Sequence, residues 1–166
     1  MNGINLPVTG CARMHGQNSV SLQDFFDLIL PQEGPYWVLA HKRPSDKGMK
    51  HESFNSIEKM VARCEELDSS GMEVWHAVAS YIHPHDEAKG EKERWGRKKD
   101  NVSKLGAYFL DIDVDASKPE KAYATFEDAE RALAEFIQAF GEPYHLIVHS
   151  GGGLHVYWLL DESISR

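Results

Sequence analysis

Apolar residues recur at helical spacing in two long stretches of the chain and in a shorter third. Phe54, Ile57, Val61, Cys64 and Leu67 line one face of a helix predicted over residues 54–68. Ser53 is its expected N-cap, and Ser69-Ser70-Gly71 its end. Phe126, Ala129, Leu133, Phe136, Ile137 and Phe140 form the second stripe, whose aromatic residues are expected to be core. Thr125 with Asp128 resembles a capping box, Gly141 sits at the expected C′ position, and Pro143 lies beyond. The third, LQDFFDLIL, follows Ser21 as a cap and ends at Pro31.

Strand-like runs fill much of the remainder. PYWVLAHK (35–42), MEVWHAVASYI (72–82), AYFLDIDVD (107–115), EPYHLIVHS (142–150) and GLHVYWLLDE (153–162) are rich in β-branched and aromatic residues. Residues 1–20 read as irregular, and RPSDKGMKH (43–51) as a loop. No internal repeat or low-complexity segment interrupts the pattern. From residue 105 the order is strand, helix, strand, strand, which is the first part of a βαββαβ arrangement. A mixed α/β (α+β) fold follows. Residues 1–104 are expected to form a helix–strand module with a basic loop at 83–104, and residues 105–166 the second portion.

Composition adds limits. At 166 residues and 42% hydrophobic, the chain can bury a core. No run of about 18 apolar residues marks a membrane span, and the N-terminus lacks the basic and apolar regions of a signal peptide. Cys11 and Cys64 match no zinc or redox spacing, and Cys64, on the apolar side of its helix, reads as a buried thiol. A reducing, cytoplasmic setting is expected. The net charge of −8 argues against a protein that coats nucleic acid electrostatically. Residues 89–104 invert that balance locally, with seven Lys or Arg against three acids. Arg94, Arg97, Lys98 and Lys99 are therefore candidates to track template phosphates, with Trp95 available to stack on a base; a solvated loop is the other reading.

The candidate chemistry lies in two motifs. In an extended strand, Asp111, Asp113 and Asp115 share one side, while Tyr108, Leu110, Ile112 and Val114 share the other. Carboxylates about 7 Å apart on one strand face can converge on a divalent ion, and hard oxygen ligands suit Mg²⁺ or Mn²⁺. A strand edge that merely ends in acids is the alternative. In the second motif, Ser150-Gly151-Gly152-Gly153 predicts a tight turn whose backbone amides can cradle phosphate oxygens. Ser150 adds a hydroxyl and His155 a ring donor. Tyr157 shares the strand face of His155, opposite Val156, Trp158 and Leu160. A plain hairpin is the alternative here. The His83-Pro84-His85 triplet reads as an exposed loop, since Pro84 breaks the strand that a His-x-His metal pair requires.

Hydrophobic-Asp-hydrophobic-Asp, followed downstream by Ser-Gly-x-Gly-x-His in an apolar strand, resembles the archaeo-eukaryotic primase superfamily. The likeness is to the primase-polymerases of phages and plasmids, which often sit in front of a helicase, and it covers about residues 105–160. It implies an RNA-recognition-like palm in which Asp111 and Asp113 hold catalytic Mg²⁺ or Mn²⁺. Ser150, Gly151, Gly152, Gly153 and His155 would bind the incoming nucleoside triphosphate. It also implies a single-stranded DNA template, and a helicase domain or subunit as a possible partner. The family carries a third metal-binding Asp further downstream. Asp161 follows the apolar strand directly and is expected to be a turn residue instead, so the chain is expected to be the N-terminal portion of a larger primase-polymerase. Two other readings fit the motifs in part: a module that holds a nucleotide or docks on a partner without catalysis, and a metal-dependent nuclease, which leaves the second motif unexplained.

Overall fold

The structure, a computed structural model, describes residues 3–5, 12–14, 19–86 and 96–165. In chain order the elements are β1 (Gly3–Asn5), β2 (Ala12–Met14), β3 (Ser19–Val20), α1 (Leu22–Ile29), β4 (Trp37–Lys42), β5 (Lys50–Phe54) and α2 (Ile57–Ser69). They continue with β6 (Glu73–His76), β7 (Ala79–Tyr81), a 3₁₀ turn (Lys99–Asn101), β8 (Val102–Asp113), α3 (Phe126–Phe140), β9 (Leu146–His149) and β10 (Gly153–Ser165). The class is α+β. The chain divides into two compact units: Leu22–Ala107 with Leu160–Arg166, and Met1–Ser21 with Tyr108–Leu159. The expected boundary at residue 104 lies near the change at Ala107, but Met1–Ser21 groups with the later residues and Leu160–Arg166 with the earlier ones.

In the first of these units, β4 is the middle strand of an antiparallel sheet ordered β5-β4-β6. Its buried run Trp37–His41 explains why the sequence there reads so plainly as a strand. The polar stretch expected to be a loop (43–51) runs into β5, and the strand takes in Phe54, expected in the helix; hydrogen-bonding to β4 holds it extended with Leu39 opposite Glu52 and Ala40 opposite His51. The run at 72–82 is two strands: β6 pairs with β4, whereas β7 pairs with the first half of β8, Ala79 opposite Leu105. Helix α2 begins later than predicted, because Ser56 rather than Ser53 caps it by accepting from the Lys59 N–H at 3.3 Å. The Ser53 hydroxyl instead accepts from the His85 N–H at 2.6 Å. Phe25, Phe26, Ile29, Leu39 and Met60 are buried almost completely, and each such side chain contributes about 1.5–3 kcal/mol. Cys64 is half-buried, and desolvation, with Asp68 and Glu65 adding to it, pushes its thiol up to about 11.

A charged cluster ties α2 to this sheet. Glu52 of β5 accepts two hydrogen bonds from Arg63 of α2, at 3.0 and 2.9 Å, and pairs with the buried His41 of β4 at 2.8 Å. The Arg63 hydrogen bonds hold the Glu52 carboxyl below the usual range, against the opposing effect of partial burial, with His41 adding to the lowering.

In the second unit, the strands run β3-β2-β1-β9-β10-β8. β1 is parallel to β9, and the β9–β10 pair is an antiparallel hairpin with Leu154 opposite His149 and Val156 opposite Ile147. The short strands β1, β2 and β3 occupy a region that reads as irregular, since two- or three-residue strands leave no periodicity to detect. Helix α3 spans the predicted residues. Thr125 accepts from the Asp128 N–H at 3.1 Å, and Gly141 adopts the left-handed conformation, φ 87°, at its end. Ala129 and Leu133 pack against Ile112, Ile147, Leu154, Val156 and Trp158. The aromatic half of the predicted stripe is not core. Phe126, Phe136 and Phe140 are exposed, the last two stacked on each other and set edge-on to Trp158. The face that α3 buries is the narrower one of Ala129 and Leu133, and the aromatic flank of the stripe stays uncovered. Strand β10 runs on through Asp161, which is exposed within the strand rather than placed in a turn. Among the described residues, no helix is long and apolar enough to cross a membrane.

Glu52→Gln is expected to destabilise the protein by about 1–2 kcal/mol at neutral pH, a figure reduced for the partial exposure of the pair. Because folding depresses the Glu52 carboxyl, its contribution is full above about pH 4.5 and is lost as pH falls through the depressed value. Denaturant melts of both proteins should therefore differ at pH 7 and converge in acid; a gap that is constant with pH would show that the charge of Glu52 is not responsible.

Candidate active site

Alternation along two neighbouring strands builds the site. On β8, Leu110 and Ile112 turn toward α3, as does Val114 just past the strand end. Phe109, Asp111 and Asp113 take the other side, and both carboxylates are exposed. On β10, Leu154, Val156 and Trp158 join the core, leaving His155 and Tyr157 on the acidic side. This face brings His155 Nε2 to 3.4 Å from Asp111 Oδ1, within ion-pair range but long for a hydrogen bond.

The imidazole is held on its flank. The Phe109 ring stands edge-on to His155 with centroids 5.3 Å apart, and lies 5.2 Å from the buried Tyr157 ring. Burial holds His155 below the usual histidine range, outweighing Asp111 and Asp113, which pull it upward. The ring is thus neutral at pH 7 and carries one N–H donor. Burial, reinforced by Asp111, pushes the Tyr157 phenol well above its ordinary value, so it stays protonated. Phe109 was not legible as a functional residue by type, yet its spacing of two from Asp111 marks it as a neighbour on the same face.

The glycine turn joins this face at the β8 end. The Val114 N–H donates to the Gly152 carbonyl at 2.8 Å, and the Ser150 N–H closes the turn on the Gly153 carbonyl at 3.0 Å. The Ser150 hydroxyl donates to that same carbonyl at 3.3 Å, so its proton serves the turn, while its lone pairs still accept. Gly151 has φ 86°, the left-handed region that favours glycine. Gly153 is required by proximity: a Cβ there would lie 2.1 Å from the Ile112 carbonyl oxygen. Gly152 has open space around it.

Asp115 does not extend the acidic face. β8 ends at Asp113, and Asp115 turns into the following bend, where it accepts from Lys118 Nζ at 2.7 Å and from the Ser117 hydroxyl and N–H. The Lys118 and Ser117 hydrogen bonds hold its carboxyl at about 2. Two side-by-side carboxylates remain, Asp111 and Asp113. They fit a hydrated Mg²⁺ or Mn²⁺ shared with phosphate oxygens better than an all-protein cage. Among the described residues, no group of three or more His, Cys, Asp or Glu side chains is placed to hold a metal ion.

Of the basic candidates, Arg94 and Trp95 lie outside the described residues. Arg97, Lys98 and Lys99 belong to the other unit, where Lys98 and Lys99 are exposed and Arg97 bonds to the Met49 sulfur at 3.3 Å. His83 is exposed, and the His85 ring meets His51 edge-on at 5.1 Å. Comparison with family models, with curated proteins and with solved structures finds no match to this chain.

The turn geometry separates neighbouring glycines. Gly153→Ala should cost about 1–3 kcal/mol, because a backbone atom blocks the new methyl, whereas Gly152→Ala should fall within about 0.5 kcal/mol of wild type. Thermal or denaturant melts of the two variants check this; equal stabilities would contradict the close approach.

Proposed function

We propose that this chain carries the nucleotide-binding and metal-binding part of a primase-polymerase, acting in template-directed nucleotidyl transfer during replication of a phage or plasmid. The observation that carries the reading is that Asp111 and His155, one from each sequence motif, meet at 3.4 Å on a sheet face opposite the core. Opposite parity in either strand would instead have turned one of these two side chains into the core. The spatial order β9-β10-β8, with α3 linking β8 to β9, is further support, since it is the order of the first three strands in a βαββαβ palm.

In this reading Asp111 and Asp113 hold Mg²⁺ or Mn²⁺ jointly with the triphosphate. A divalent ion there supplies positive charge to the reacting phosphoryl oxygens. The neutral His155 donates its N–H to a phosphate oxygen, and Phe109 keeps the ring from swinging away. The Ser150–Gly153 turn, pinned to Val114 and lacking side chains at Gly151, Gly152 and Gly153, lets a phosphate approach the backbone closely. Positioning and charge stabilisation are the contributions expected of such a site. Single-stranded DNA is the template in this reading, and a helicase domain or subunit is a fitting partner.

Isothermal calorimetry with ATP and dATP, with and without Mn²⁺, tests the site. Metal-dependent binding is expected, weakened roughly tenfold or more by either Asp111→Ala or His155→Ala. Binding that ignores both substitutions, or no binding by the folded protein, would defeat the assignment. Mn²⁺-dependent degradation of single-stranded DNA without nucleotide binding would favour a nuclease instead.

A further inference from the structure

The contacts between β8 and β10 fall in rows. At the turn, the Val114 N–H meets the Gly152 carbonyl, and the Gly153 backbone lies against Ile112 and Asp113. Next come Asp111 and His155, 3.4 Å apart. Phe109 and Tyr157 follow, their ring centroids 5.2 Å apart. Each step moves along both strands by two residues, about 7 Å, so the side chains of successive rows share one face.

The chemistry changes along the rows. The first two hold the glycine turn, Asp113, Asp111 and His155, groups suited to a metal-bound triphosphate. The third is apolar. Phe109 is 43% exposed, whereas Tyr157 is fully buried and its hydroxyl with it. This row therefore shows solvent a phenyl ring and no hydrogen-bonding side-chain group. The ring is fixed on two sides, edge-on to His155 at 5.3 Å and tilted by 41° against Tyr157. A lone exposed ring needs no explanation. One that is held in place, a single step from the charged groups, meets whatever is attached to a phosphate bound there.

In a nucleoside triphosphate, the group beyond the α-phosphate is the sugar. Deoxyribose has a hydroxyl-free edge at C2′, which an apolar ring covers without leaving a polar group unpaired. Ribose carries a hydroxyl at that edge. Covering it with Phe109 strips its water and supplies no partner, which costs affinity.

We infer that Phe109 supports the C2′ edge of the nucleotide's sugar and makes the site selective for 2′-deoxynucleoside triphosphates. The inference rests on the proposed triphosphate site and names the substrate class that this site takes. Since the contact involves no base, purine and pyrimidine deoxynucleotides bind alike.

Isothermal calorimetry of the full chain in Mn²⁺ with dATP, dTTP, ATP and inorganic triphosphate tests it. dATP and dTTP should bind alike, and about fivefold or more tighter than ATP. Phe109→Ala should bring dATP and ATP within about twofold of each other, while Phe109→Leu, which keeps an apolar surface, should retain a preference for dATP. The ratio is the readout, because loss of the ring also frees His155 and weakens all four ligands together. Melting curves establish that each variant is folded. Equal affinity of the wild type for dATP and ATP, a preference for ATP, or a ratio unchanged in folded Phe109→Ala would each overturn the inference. A strong preference for dATP over dTTP would put the base on Phe109 and overturn it as well. If inorganic triphosphate binds in a way that depends on Asp111 and His155 while dATP and ATP are equal, only the sugar contact falls. If neither inorganic triphosphate nor any nucleotide binds, the triphosphate site itself is refuted and this inference falls with it.

Discussion

The backbone of Gly153 lies so close to Ile112 that no side chain fits between them, and the candidate site depends on that approach. It seats the start of β10 beside the end of β8, so the two strands share both of their faces. One face then fills with Leu, Ile, Val and Trp against α3. The other collects two carboxylates, an imidazole and two aromatic rings. The apolar side supplies the stability, and the polar side needs only to be held still.

How legible each element was follows from how local its cause is. Helix α3 was legible to the residue, because its cap, its apolar period and its terminal glycine all act within one turn of where they stand. The sides taken by Asp111, Asp113 and His155 were legible for the same reason: alternation decides the sides of a strand without any knowledge of its neighbours. β5 was not, since Lys50, His51 and Glu52 are extended only because β4 pairs with them. Ser53 and Ser56 both suit a helix cap by type, and a distant partner, the His85 backbone, decided between them.

The aromatic stripe and Asp115 mark where periodicity misleads. Phe126, Phe136 and Phe140 follow the same spacing as Leu133, but only Ala129 and Leu133 reach the sheet closely enough to be buried. Asp115 continues the alternation of Asp111 and Asp113 in sequence, yet the strand ends first and Lys118 captures it. The pairing of His155 with Asp111 was foreseeable only as a consequence of strand order, which no local pattern encodes.

Strand β10 also explains why the length of its turn matters as much as its composition. His155 faces the carboxylates and Val156 faces α3 solely because of parity along the strand. Removing or adding one residue between Ser150 and Gly153 would exchange the two sets, driving an imidazole into the core and a valine onto the acidic face. The hairpin thus acts as a counting device, intolerant of a frame slip even at Gly152, where a changed letter would meet open space.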